Sequence, residues 1–391
     1  MSALETVPPF TEIVQEIKEA GGEAFKYCYQ CGKCDVVCPW NRVKPFSIRK
    51  IVRQAAYGLP EIELEDIWRC TTCGTCPSRC PRGVEQVEVT VAIRRIATAY
   101  DVFPTEVQGV CSAAASLRGE GNPLTGDRDK RLAWADGLGL KTFEEGTELL
   151  WFVGCYLAYD PRMKKVATAT AKLLQRAGVD FGVLGSKESC CGESIRKTGD
   201  EALFKSLARQ NIKNFIDAGV TRILVSSPHC YHTFVNEYPE FRVNFEVVHV
   251  TELLAELVRD GRLEMKGDFP RKVTFHDPCY LGRRNKIYDD PRELLTGLSG
   301  LELTEMADHH DDSLCCGGGG GRMWMETPKG ERFSDLRIGQ AQDAGAEVLV
   351  TSCPYCISNF EDSRLSLGDG QTLEIKDLAE VLWESVSGGT P

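Results

Sequence analysis

Two cysteine runs constrain this chain more than any other feature. Cys28, Cys31, Cys34 and Cys38 precede Pro39, and Cys70, Cys73, Cys76 and Cys80 precede Pro81, so one C-x2-C-x2-C-x3-C-P pattern occurs twice. Three thiols at this spacing come from one loop and face one centre, while the fourth is carried away from it. Structural zinc is usually held by two CxxC pairs separated by a loop and does not call for four cysteines closed by a proline. Each run must therefore fold around something that takes several thiolates at once.

The pattern is the signature of bacterial ferredoxins, in which the fourth cysteine of each run reaches the other run's four-iron cluster. That resemblance implies two [4Fe-4S] cubanes, one on Cys28, Cys31, Cys34 and Cys80, the other on Cys70, Cys73, Cys76 and Cys38. Composition agrees. The chain has 391 residues, enough for two or three domains, and 18 cysteines. Met1 to Glu5 carry no basic and apolar leader, and no apolar run approaches the roughly 20 residues that span a bilayer. A reducing, cytoplasmic setting is expected, where clustered thiols bind metal. A net charge of −11 argues against nucleic acid, whose phosphates need a basic face. Any membrane attachment would have to come through another subunit.

Past the cysteine runs the chain repeats itself. Cys279 lies 124 residues after Cys155, Cys315-Cys316 lie 125 after Cys190-Cys191, and Cys356 lies 126 after Cys230. The helix-like tails from Val248 and Leu373 keep the same offset of 125. Constancy through four landmarks means two homologous lobes. Each alternates strand and helix: strands are expected at 149–153, 179–184, 222–225 and from Phe245, then at 273–275, 301–304, 348–351 and 372–375. Asp160-Pro161 reads as a helix start, and that helix runs to Gly178. The fold class is α+β multidomain. A mainly helical segment (1–118) is followed by a linker rich in Gly, Asp and Asn (119–146) and two α/β lobes with mostly parallel sheets (147–265 and 266–391). Cys155, Cys230, Cys353 and Cys356 fall just past strand ends, where open α/β sheets carry their sites.

Earlier in the chain, residues 11–20 predict a short amphipathic helix capped by Thr11 and stopped at Gly21-Gly22. Ser47 to Tyr57 predict another, closed by Gly58, whose Arg49, Lys50 and Arg53 are either a solvated face or a dock for an acidic partner.

The second lobe has five thiols, Cys279, Cys315, Cys316, Cys353 and Cys356, one more than a cubane uses. Adjacent cysteines do not easily share one metal ion, which favours a cluster with spread-out irons over mononuclear zinc. The motifs HDPCYLGR from His276, LCCGGGGGRMW from Leu314 and SCPYC from Ser352 resemble the CCG domain of the heterodisulfide reductase catalytic subunit. From Cys28 onward the chain is similar to the fused D-type architecture of that family: a two-cluster ferredoxin segment and two CCG lobes. The resemblance implies a noncubane four-iron cluster on the five second-lobe cysteines, which there cleaves a disulfide in two one-electron steps.

The first lobe departs from the pattern, because Ser227 stands where the second lobe has Cys353. Cys155, Cys190, Cys191 and Cys230 remain, able to hold an Fe-S cluster, structural zinc or nothing, with His229 and His232 near enough to assist. Gly317 to Gly321 are followed by no Lys-Ser or Lys-Thr, so this is no phosphate loop; Gly317, Gly318 and Gly319 are expected to bring amides to a cluster or leave room for substrate. His276 is either a core histidine or a proton donor to a leaving thiolate. His309-His310 read as solvated loop and Cys111 as a small buried hydrophobe. No GxGxxG follows a strand, so a flavin or further iron–sulfur donor, or a membrane subunit, would be a separate partner. The expected function is that of an iron–sulfur subunit which passes electrons to a disulfide or thiol substrate, the alternative a relay within a larger flavin-containing complex.

Overall fold

The computed structural model describes residues 10–59, 64–102, 108–368 and 372–387. Two four-stranded sheets form, each wholly parallel. In the first lobe β1 (Leu149–Phe152), β2 (Phe181–Gly182), β3 (Arg222–Val225) and β4 (Glu246–His249) lie in the order 2-1-3-4. In the second, β5 (Lys272–Phe275), β6 (Glu302–Leu303), β7 (Val348–Thr351) and β8 (Glu374–Asp377) repeat it as 6-5-7-8. The central strands are continuous apolar runs because both faces are covered: all four residues of β1 and of β7 are buried. Chain direction across the sheet reverses between β1 and β3, and again between β5 and β7. Such a switch point opens a crevice at the carboxyl ends of those strands.

The lobes are interlocked. The last helix of the first, Val250–Arg259, packs on Asp289–Thr296 of the second, and Leu378–Ser387 packs back on Met163–Arg176. One apolar core, including Trp151, Leu254, Leu295 and Leu382, runs through both. Met163–Arg176 starts two residues past the expected Pro161, with Arg162 at the cap position, while the Asp160 carboxylate accepts from the amides of Arg162 (2.8 Å) and Met163 (3.0 Å). Ser47 caps Ile48–Tyr57 through the Lys50 amide, and Gly58 closes it at φ 59°. Thr11 is not a cap, since the helix Thr11–Ile17 has Phe10 at that position, without a side-chain bond.

Residues 119–146 are not a free tether. Arg131 is buried in the first lobe, Trp134 stacks edge-on against Trp151 at 5.6 Å, and the Phe143 amide donates to Val183 O at 3.0 Å. Small polar residues there make tight turns while a few large ones pack; composition registers only the first.

The N-terminal segment is bolted to the lobes by Arg94 on the helix Gln86–Ala99. Its fully buried guanidinium donates to Ile67 O, Cys70 O, Lys197 O and Gly320 O at 2.6 to 3.0 Å, joining all three parts of the chain. At the surface Arg42 meets Asp308 (2.5 Å), Arg79 meets Asp312, and Lys286 meets Asp311 (2.8 Å). The acidic loop beside His309-His310 is thus a binding edge more than a solvated one.

Candidate metal centres

The two cysteine runs fold alike. Gly32 (φ 81°) and Gly74 (φ 79°) turn the chain in the left-handed region just before a short helical turn that carries the third thiol of each run, Cys34 and Cys76. The runs exchange their fourth members. Cys28, Cys31, Cys34 and Cys80 surround one hollow, and Cys70, Cys73, Cys76 and Cys38 another. Trp40, just after the first run, ties it to the second by donating its indole N–H to Arg69 O at 2.7 Å. Burial pushes the Cys34 thiol up to about 12 and raises that of Cys70 as well. A thiol so buried gives up its proton to a metal more readily than to water. Four converging thiols, without competing carboxylates among the described residues, fit a four-iron cluster at each hollow.

In the second lobe Cys279 follows β5, Cys315-Cys316 follow β6, and Cys353 and Cys356 follow β7, where the helix Pro354–Leu367 begins. All five are buried. Their free thiols lie within hydrogen-bonding reach in series, from Cys279 through Cys315, Cys316 and Cys356 to Cys353. Cys315 also meets Cys73, and lies 3.7 Å from the Thr71 hydroxyl, so the second ferredoxin hollow abuts this thiol set directly.

The glycine run makes that approach possible. A Cβ on Gly319 would lie 2.3 Å from Thr71 O, and one on Gly320 2.5 Å from Cys70 O. The amides of Gly317 (3.3 Å) and Gly318 donate to the sulfurs of Cys315 and Cys316. Gly317 and Gly318 are thus amide donors, whereas Gly319 with Gly320 clears space for the ferredoxin backbone. Arg283 and Arg284 fasten the same loop, donating to Cys73 O (3.1 Å) and Thr72 O (3.0 Å).

His276 is fully buried within 4.8 Å of the Cys316 and Cys356 sulfurs. Arg337 Nε donates to its Nδ1 at 3.0 Å, leaving the ring proton on Nε2. Burial, with the Arg337 charge, brings it down to about 3. With Nδ1 taken by Arg337, the ring presents its Nε2–H on the side of the thiols.

The first-lobe thiols also meet: Cys155, Cys190, Cys191 and Cys230 line one hollow with Ser227. Behind it stand groups the sequence reading missed, Arg131, Glu188 and Glu193. Arg131 pairs with Glu188 and lies 3.7 Å from the Cys155 sulfur. Glu188 accepts the amides of Val153 (3.1 Å) and Gly154 (2.8 Å), fixing the turn that carries Cys155. His229 lies 3.0 Å from the Glu193 carboxylate, stacks on Tyr280 at 4.2 Å and bonds Cys353 of the other lobe. In return Tyr355 stands against Tyr156 at 4.6 Å and lines the first-lobe hollow. Tyr156 and Tyr280 each follow a predicted ligand cysteine at the repeat offset, a signal that could have flagged both. His232 does not line the hollow; its ring meets the Tyr280 edge at 5.0 Å. Cys111 is exposed, contrary to expectation.

A cavity of about 1030 Å³ reaches Cys316 and Gly317 from between the N-terminal segment and the second lobe, with Trp40, Trp324, Arg322 and Lys44 on its walls. The matching position of the first lobe carries the Glu193–His229 pair in place of Gly318. The large cavity thus reaches the second-lobe thiols, whereas the first-lobe hollow has room for only about 30 Å³.

Known proteins agree with this layout. Two cysteine-rich (CCG) domains match residues 149–235 and 273–361, and a 4Fe-4S dicluster domain matches 24–84. The chain is 38% identical over 334 residues to the "Probable iron-sulfur-binding oxidoreductase FadF" of Bacillus subtilis, covering 83% of this chain and 47% of that one. It is 36% identical to the EtfAB:quinone oxidoreductase of Syntrophomonas wolfei, covering 82% and 47%. It spans about half the length of both. With the D-type component of the dihydromethanophenazine:CoB–CoM heterodisulfide reductase of Methanosarcina acetivorans it shares 31% identity over 90% of this chain and 91% of that one. A crystal structure of a hypothetical protein from Helicobacter pylori matches 96% of this chain and 73% of its own at TM-score 0.51 and 9% identity, sharing the fold alone. No helix among the described residues is long and apolar enough to cross a membrane.

Proposed function

This chain belongs to the heterodisulfide reductase D-type family of dicluster, CCG-domain iron–sulfur oxidoreductases, and on that premise we propose that its second-lobe thiol set is the reactive centre, reducing a disulfide or related sulfur substrate. Iron–sulfur clusters supply one-electron chemistry, whereas a disulfide takes two electrons and two protons to become two thiols. The residues that would hold those clusters lie in series: Cys28, Cys31, Cys34 and Cys80 outermost, then Cys70, Cys73, Cys76 and Cys38, then the five second-lobe thiols. The observation that carries the reading is the joint contact of Cys315 with Cys73 and of Cys316 with the open cavity. Electrons would arrive at Cys315 and substrate at the neighbouring Cys316. His276 would point an N–H at the sulfurs of Cys316 and Cys356, and the amides of Gly317 and Gly318 would do the same for Cys315 and Cys316, so that added negative charge meets fixed dipoles. The five thiols are the set that would hold a noncubane cluster. The first lobe, with four thiols around a small hollow, is assigned a structural or relaying centre of iron–sulfur or zinc.

The test compares Cys316→Ser with Cys190→Ser in the full iron-loaded chain, reading viologen-linked disulfide reduction beside the reduced cubane signals. The reading expects Cys316→Ser to abolish turnover with the cubanes intact, and Cys190→Ser to leave turnover within a few-fold. Equal activity of wild type and Cys316→Ser would make the chain a relay for a separate catalytic subunit.

A further inference from the structure

The charge of this chain is unevenly placed. Against a net −11, residues 28–57 hold six lysines and arginines and one aspartate, Asp35. Two of the six reach the second lobe and bind the segment to it, Arg42 on Asp308 and Lys44 on Glu331. Lys33, Arg49, Lys50 and Arg53 are exposed, and Arg82 of the second run joins them. Lys33, Arg49 and Arg82 line the hollow of Cys28, Cys31, Cys34 and Cys80, which among the described residues no carboxylate lines. Asp35 is turned to local work, accepting from the Ser47 hydroxyl and the Arg49 amide at 2.8 and 2.9 Å. It also stands 3.6 Å from the Arg49 guanidinium, which stays about half exposed, so one carboxylate offsets one of the cations around the hollow.

This hollow is also where the electron path comes to the surface. Of the eight cysteines in the two runs only Cys31 is exposed, whereas Cys70 and Cys73, toward the second lobe, are buried. Large apolar side chains stand uncovered in the same stretch: Tyr29 at 59% exposure, Val36 at 83% and Tyr57 at 49%. Apolar side chains beside charged ones compose a protein interface, while clustered like charge steers a partner of opposite sign.

We propose that this face docks an acidic one-electron carrier protein, with Lys33, Arg49 and Arg82 around Cys31 steering it and Tyr29 and Val36 packing against it. The inference rests on the electron-transfer reading above and adds the site and charge of the donor. Each encounter oxidises the carrier by one electron and reduces the iron held by Cys28, Cys31, Cys34 and Cys80 by one. No covalent bond forms or breaks and no proton moves. Two encounters supply one disulfide.

The test is stopped-flow reduction of the full iron-loaded chain by a reduced acidic ferredoxin, from low to high ionic strength, with deazaflavin photoreduction as a small-molecule control. The wild-type rate is expected to fall at least tenfold across the salt range. Lys33→Glu with Arg82→Glu should slow ferredoxin-driven reduction at low salt about tenfold more than deazaflavin-driven reduction, which corrects for any shift in cluster potential, and leave the ferredoxin rate nearly salt-independent. The proposal is overturned if the wild-type rate ignores salt, or if the double variant slows deazaflavin reduction equally, since the cations would then serve the cluster and not a partner. Absence of bound iron would defeat the electron-transfer reading itself, a different result from either.

Discussion

Replacing Arg94 by methionine tests how the three parts of the molecule are held in register. The guanidinium makes five hydrogen bonds to four carbonyls: Ile67 O at 2.9 and 2.6 Å, Cys70 O at 2.7 Å, Lys197 O at 2.8 Å and Gly320 O at 3.0 Å. A hydrogen bond to a charged group contributes about 1.5–3 kcal/mol, and a buried carbonyl left without a partner costs about 1–3 kcal/mol. Against this stands the cost of burying the charge, visible in the fall of the Arg94 pKa to about 10. Methionine fills much of the volume and removes that cost, so the net loss is about 3 kcal/mol. At the usual unfolding entropy per residue this lowers the melting midpoint by about 4 °C in a chain of this size. The same guanidinium holds Cys70 O and Gly320 O, so the loosening falls on the contact between Cys73 and Cys315. Anaerobic thermal scans at one rate, followed by visible absorbance and far-ultraviolet circular dichroism, should show the Arg94→Met chromophore bleaching before helix is lost. Arg94→Lys, which keeps the charge and fewer bonds, should fall between. A midpoint within about 1 °C of wild type, with the two signals still coincident, would refute this reasoning.

Gly319→Ala places a methyl 2.3 Å from Thr71 O; overpacking there should cost about 1–3 kcal/mol and slow electron arrival at the second-lobe thiols while the cubanes still reduce at the wild-type rate, as freeze-quench spectra would show. Ser227→Cys puts a fifth thiol on the first-lobe hollow, and should raise iron per chain and produce a second signal of the kind given by the second lobe; unchanged iron would mean the lobe has lost more than one ligand. Burial drives the His249 pKa down to about 3, whereas the unfolded imidazole titrates near 6.5, so only the unfolded state takes the proton between those values. Its contribution to stability should therefore be full above pH 6.5 and decline toward pH 3, by about 1.4 kcal/mol at pH 5.5. His249→Asn should remove that share of the decline in thermal midpoints between pH 7.5 and 5.5 and leave the shares of His232 and His276, which burial also brings down to about 3.

Much of this was legible in the residues. The exchange of Cys38 and Cys80 is what the ferredoxin resemblance implies, and Cys38 does line the second run's hollow and Cys80 the first's. The lobes announced themselves by a constant offset, and β3 and β7 occupy the expected 222–225 and 348–351 because three consecutive apolar residues shortly before a Ser-Pro or Cys-Pro turn have little else to form. What escaped was long-range. Arg94 looks like any helix arginine beside Arg95, and nothing local says that four carbonyls from three parts of the chain converge on it. Arg131 lies in a stretch whose composition reads as linker, yet it orients Glu188 beneath Cys155. The glycine run was read toward a cluster, and only the packed structure shows that Gly319 and Gly320 yield to the backbone of Cys70 and Thr71. In each case the partner lies tens to hundreds of residues away, beyond the reach of periodicity or capping patterns.

Electron paramagnetic resonance of the anaerobically purified, oxidised chain, with and without added thiol and alongside iron and zinc analysis, tests the central claim most directly. The account predicts a paramagnetic oxidised centre whose signal changes when thiol is added and disappears in Cys316→Ser. A silent oxidised state, with cubane signals alone on reduction, would contradict it and leave the second-lobe thiols a relay to chemistry performed elsewhere.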